Sequence, residues 1–113
     1  MARRALLREL RCGVRSLADV CDAHPELMRA ARFVGEETSQ RCPICGHRGL
    51  RLLFYTYGQE LKGTENGRVR RRADLPELRA RFGEFVCYVV EVCTACSWNH
   101  LVRSFLTGRR HAG

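Results

Sequence analysis

Two pairs of cysteines constrain this chain more than any other feature. Cys42 and Cys45 form a C-x-x-C within RCPICGHRG, and Cys93 and Cys96 form another within EVCTACSWN. Two residues between thiols let one tight turn present both sulfurs to a single ion while the turn's amides point at them. Two such knuckles supply the four thiolates of a closed tetrahedral zinc site. Pro43 presets the first turn, and Gly46 permits a left-handed backbone after its second sulfur. The reading is one structural Zn²⁺ held by Cys42, Cys45, Cys93 and Cys96. Residues 46–92, a gap of 47, separate the knuckles. The compact pattern has a gap of about 15–20, so a long excursion is expected here. A disulfide framework suits the cysteines less well, because seven is an odd number and no apolar leader region follows the N-terminal arginines.

With 113 residues, the chain has room for one compact domain, or a small domain plus an appendage. No run approaches the roughly 20 apolar residues of a membrane helix, so a soluble, cytoplasmic protein with no membrane partner is expected. The charge is lopsided: 20 basic residues stand against 12 acidic ones, for a formal net charge of +8, and Lys62 is the only lysine. That balance fits an anionic partner such as RNA, DNA or an acidic protein face. Arginine suits bidentate phosphate recognition better than lysine does.

The fold class read from the pattern is α+β, with a helical N-terminal segment (1–36) followed by a three-stranded antiparallel zinc ribbon (41–106). Leu6, Leu7, Leu10 and Val14 make an apolar stripe that Gly13 ends. Ser16 and Asp19 form a capping box opening a short helix through about Ala23. Pro25 then starts a helix through Leu27, Met28, Ala31 and Phe33, which Gly35 stops. Strands are expected over Leu50 to Tyr57, Glu84 to Val92 and Trp98 to Leu106, the second apolar on both faces and therefore central. Residues 58–78 read mainly as a long basic loop, with a short helical turn from Pro76 to Phe82.

The zinc-ribbon half resembles the ribbon superfamily of transcription and translation proteins. The whole chain resembles a small actinobacterial family of unknown function. The likeness lies in DVCDAHPEL at 19–27, the CPIC knuckle, and VEVCTACSWNHL at 90–101. It implies a relative without implying an activity.

Arg68, Arg70, Arg71 and Arg72 are the sharpest basic feature, and Arg79 and Arg81 extend it. Such side chains are expected to face water or a phosphate backbone. Cys87 and Cys12 read as small buried hydrophobes, whereas Cys21-x-x-His24 has ligand spacing. A second metal there would have to recruit from Cys12, His47, His100 and His111. His47 and His100 are expected to brace the knuckles, Trp98 and Asn99 to pin the second turn, and Tyr55, Tyr57 and Tyr88 to cover the sheet or stack on bases. Four cysteines leave zinc no open position, and no phosphate-binding loop or nucleophile elbow occurs, so neither catalysis nor a small-molecule substrate is expected. The leading reading is a non-catalytic adaptor that binds nucleic acid, RNA polymerase or the ribosome. The alternatives are a DNA-binding regulator using helix-turn-helix-like N-terminal helices with Arg29 and Arg32, or a protein-interaction scaffold.

Overall fold

The computed structural model describes residues 2–61 and 63–108. Three helices precede or interrupt a single antiparallel sheet. Helix α1 (Arg3–Arg11) and α2 (Pro25–Val34) come first; strands β1 (Glu36–Glu37), β2 (Arg51–Tyr57) and β3 (Arg68–Arg70) follow. Helix α3 (Leu75–Arg81) then leads into β4 (Phe85–Val92) and β5 (Asn99–Thr107). Strand order is β1-β2-β4-β5, with β3 sharing the outer edge of β2 with β1. The sheet therefore has five strands, where three were expected. The two additions are short and polar: Glu36–Glu37 and Arg68–Arg70 carry no run of apolar alternation, so the sequence pattern is silent about them.

The central position of β4 is as read. It pairs with β2 from Arg51↔Val92 to Tyr57↔Val86, and with β5 on its other side. Its two apolar faces meet different helices. Val92 is buried, with Val90 beside it, against Met28 and Ala31 of α2. Phe85 joins Leu61 and Leu78, and Cys87 and Val89 join Phe54 and Leu75, under α3 and the 3₁₀ turn before it. A strand covered on both sides can be apolar throughout. Strict alternation fails in β5: Leu101 faces Val90 and Arg103 faces Val89, leaving Val102 as the extra residue of a bulge.

The capping box at Ser16 and Asp19 is present, but it opens only the 3₁₀ turn Leu17–Asp19 and no longer helix. Pro25 is the first residue of α2 and Gly35 its C-cap. A Cβ at Gly35 would collide with the Ala31 carbonyl and lie 2.9 Å from the Arg51 Cβ, so the stop is also a close approach of helix to strand. Val14, expected on the α1 stripe, lies beyond the helix and is 72% exposed. Among the described residues, 58–78 carry more regular structure than the expected loop. They hold the 3₁₀ turns Gly63–Glu65 and Arg72–Asp74 as well as β3. Among the described residues, no helix is long and apolar enough to cross a membrane.

Candidate metal centre

The two knuckles are structural copies of one another. In the first, the Cys42 amide donates to the His47 carbonyl (2.8 Å), the Gly46 amide to the Cys42 carbonyl (3.0 Å), and the Ile44 amide to the Cys42 sulfur (3.4 Å). In the second, the Cys93 amide donates to the Trp98 carbonyl (2.9 Å), the Ser97 amide to the Cys93 carbonyl (3.0 Å), and the Ala95 amide to the Cys93 sulfur (3.4 Å). Each turn closes through a left-handed residue, Gly46 (φ +77°) in one and Ser97 (φ +71°) in the other. The part assigned to Gly46 from sequence is the one it plays.

The register of β2 on β4 brings the knuckles to the same end of the sheet, and the four sulfurs converge. All lie within 4.8 Å of one another. Cys42 and Cys96 are 3.7 Å apart and Cys45 and Cys93 3.6 Å, far beyond disulfide bonding. Four thiolates about 2.3 Å from a tetrahedral Zn²⁺ stand about 3.7–3.8 Å from one another, so the donor set and its spacing fit one zinc ion. Soft sulfur ligands disfavour calcium or magnesium here. Burial pushes the Cys42 and Cys96 thiols up, whereas the His47 amide holds Cys45 below its ordinary value. A bound cation would displace the thiol protons. Cys42 and Cys93 are buried, Cys96 half-buried and Cys45 exposed.

The surroundings brace this cluster. Trp98 is fully buried and its indole Nε1 donates to the Glu91 carboxylate (3.1 Å), which also accepts from Arg3 Nε (2.6 Å). Asn99 Nδ2 donates to Asp22 (2.9 Å) and to the Ser97 carbonyl (3.4 Å), so Trp98 and Asn99 do pin the second turn. His100 stacks on Trp98, with ring centroids 5.8 Å apart. The buried acid Glu91 went unassigned from sequence, although a lone charge inside VVEVC is the signal that marks it.

Other candidates fall elsewhere. Cys87 is fully buried as read, but Cys12 is exposed. Helix α1 ends at Arg11, and Cys12 is its C-cap with the residue open to solvent. His24 is the N-cap of α2, its Nδ1 accepting from the Glu26 amide (3.1 Å), and Cys21 turns instead toward Cys96 (3.8 Å). Among the described residues the four cysteines are the one cluster with metal-ligand geometry; His111 lies outside the described residues.

The basic run is engaged within the fold. Arg68 and Arg70 both pair with Glu65, and Arg70 keeps only 10% of its side chain exposed. Arg72 makes two hydrogen bonds to Glu36 (2.7 and 3.0 Å) with its guanidinium 4.9 Å from the Phe54 ring centroid. These partners hold the Glu65 and Glu36 carboxyls below the usual range. Arg71 stays exposed and donates to the Phe33 carbonyl (3.4 Å). Arg79 is half-buried on α3, and Arg81 is exposed and lies 3.8 Å from Glu77. The expectation that all four residues of the run face outward therefore fails at Arg70, which sits opposite Phe54 on β2 with its guanidinium on Glu65 and its side chain largely covered.

The model of a family of unknown function, DUF5318, matches residues 1–113. The chain belongs to that family. Relatives include Uncharacterized protein Rv0049 of Mycobacterium tuberculosis and Uncharacterized protein Mb0050 of Mycobacterium bovis. Each is 44% identical over 108 residues, covering 96% of this chain and 78% of the relative. No solved structure matches the chain. The full-length resemblance read from the sequence is thus borne out, and it brings no activity with it.

Proposed function

We propose that this chain is a non-catalytic zinc-ribbon module that binds nucleic acid, alone or within a nucleoprotein machine of gene expression such as RNA polymerase or the ribosome. One Zn²⁺ on Cys42, Cys45, Cys93 and Cys96 ties β2, β4 and β5 together at one end. Four thiolates fill its coordination, so the metal has a structural task and no substrate position.

The observation that carries the binding reading is the contact between Arg71 and Phe33. It joins the basic run to the C-terminal end of α2, which buries Met28 and Ala31 and turns Arg29 and Arg32 outward. Phe33 itself is 74% exposed beside these cations. An uncovered aromatic ring flanked by arginines serves single-stranded nucleic acid, the ring stacking on a base and the guanidinium groups meeting phosphates. The groove next to it, about 490 Å³, is lined by Phe33, Phe54, Arg71 and Arg72 together with Glu36, which pairs with Arg72 and leaves Arg71 as the groove's exposed cation outside that pair. Helix-turn-helix reading of DNA is less well supported, because a single 3₁₀ turn stands where a first helix would be needed.

A protein-interaction scaffold remains the second reading, on one observation. Strand β5 pairs only with β4 among the described residues, and Leu101, Val102 and Leu106 are about half exposed along it. Fluorescence anisotropy with labelled single-stranded RNA and DNA across a salt series separates the two. Affinity that falls steeply with salt supports the nucleic-acid reading, and no binding at low salt leaves the scaffold.

A further inference from the structure

Cys21 lies outside the four-sulfur set, yet its Sγ is 3.8 Å from that of Cys96, nearly as close as Cys42 is at 3.7 Å. Its position is built into the fold. The Cys21 amide donates to the Leu17 carbonyl (2.8 Å), the Ala23 amide to Ser97 (3.1 Å) and the Asn99 amide to Val20 (3.4 Å), while Asn99 Nδ2 holds Asp22. The segment 20–23 is thereby strapped along the second knuckle. Access is graded: Cys45 and Cys12 are exposed, Cys21 and Cys96 half-buried, and Cys42, Cys87 and Cys93 closed to solvent. Of Cys96's sulfur neighbours at 3.7–3.8 Å, Cys21 is therefore the one that solvent reaches.

We propose that Cys21 and Cys96 form a reversible disulfide that opens the metal site when a hydroperoxide reaches it. The Cys96 sulfur attacks the peroxide; the O–O bond breaks, one oxygen stays on sulfur as a sulfenic acid, and the remainder leaves as an alcohol or, from hydrogen peroxide, water. The Cys21 sulfur then attacks the sulfenyl sulfur, the S–O bond breaks, and the departing hydroxide takes the Cys21 proton to leave as water. Two thiols lose two electrons to the peroxide. The sulfurs close from 3.8 Å to about 2.05 Å, a movement of the two side chains. Cys96 is then lost as a ligand, and three thiolates hold zinc less tightly than four. Only the metal release rests on the zinc reading; the choice of Cys21 rests on its 3.8 Å approach to Cys96 from outside the four-ligand set.

The test treats the zinc-loaded full chain with hydrogen peroxide, follows zinc with a chromophoric chelator, and maps disulfides by non-reducing peptide mass spectrometry. The expected result is a Cys21–Cys96 crosslink formed in step with zinc loss, with both reversed by a thiol reductant. In Cys21→Ser that crosslink is lost, and Cys96 accumulates as sulfinic acid that the reductant does not repair. Crosslinks confined to Cys42–Cys45 and Cys93–Cys96, with Cys21 still open to alkylation, would overturn the proposal. A chain that carries no zinc but still forms Cys21–Cys96 would refute the metal reading and keep the disulfide.

Discussion

Arg3 Nε donates to the Glu91 carboxylate at 2.6 Å, tying the first helix to the central strand 88 residues away. The same carboxylate oxygen accepts from the buried Trp98 indole, so one acid joins α1, β4 and the turn that carries Cys96. With 5% of its side chain exposed, Glu91 has little access to solvent in place of either partner.

Glu91→Ala should therefore lower stability by about 1–3 kcal/mol, because the indole N–H is left buried without an acceptor. Glu91→Gln should lose less, since its amide oxygen still accepts from Trp98. Urea unfolding of the three proteins measures both. Equal stability of all three would show that this junction contributes nothing.

The mirrored knuckles make a second test. Gly46 has φ +77° and nothing within 4 Å of a Cβ built on it, so Gly46→Ala adds backbone strain and no clash. The expected loss is about 1–2 kcal/mol. Ser97→Gly, at the equivalent turn, should be close to neutral or stabilising in the same unfolding assay. A Gly46→Ala variant as stable as the parent would remove the conformational argument.

His100 gives the fold a pH dependence. Burial lowers its pKa from 6.5, nearby Glu91 opposing and Arg3 assisting. The folded ring stays neutral where the unfolded chain is already protonated. This contribution is complete above about pH 6.5 and is lost as pH falls from there toward the lower folded value. His100→Phe should flatten that part of the urea midpoint against pH, compared among samples that retain the same metal content. A parallel decline in both proteins would exclude His100 as its source.

The cationic surface is tested by Arg29→Ala, Arg32→Ala and Arg71→Ala together. Fold and metal content should be unchanged, single-stranded nucleic acid should bind more weakly, and the log–log salt slope should shrink by up to about three. Arg72→Ala should behave differently and lower stability, because it removes the pair with Glu36 that fastens the 3₁₀ turn Arg72–Asp74 to β1. An unchanged affinity and slope in the triple variant would move the binding face elsewhere, β5 first.

How much of this was legible depended on distance along the chain. The knuckles are local: spacing, Pro43 and Gly46 specify each turn within a few residues, and each turn is as read. Strands β2 and β4 were visible because the runs Leu52 to Tyr57 and Phe85 to Val90 are rich in aromatic and branched apolar residues. Strand β5 was visible because the stretch from Trp98 to Leu106 continues past the second knuckle with strand-forming residues. What stayed hidden is set by contacts between distant segments. Arg68 to Arg72 read as a solvated run because their charge partners, Glu65 and Glu36, cannot be assigned without the sheet register. The place of Cys21 depends on segment 20–23 docking on Ser97 and Asn99, which a local C-x-x-H spacing does not encode. Phe33 was read only as part of the second helix; its exposure follows because α2 buries a narrow stripe, Met28 and Ala31.

Native mass spectrometry of the full chain, beside its Cys45→Ser and Cys87→Ala variants, tests the central claim most directly. The account expects one zinc per chain in the parent and in Cys87→Ala, whose small cavity should lower stability by about 1–2 kcal/mol. In Cys45→Ser it expects zinc lost or readily stripped, with unfolding of the knuckle end of the sheet. A parent chain free of metal, or a Cys45→Ser variant that keeps its zinc as firmly as the parent, would contradict it.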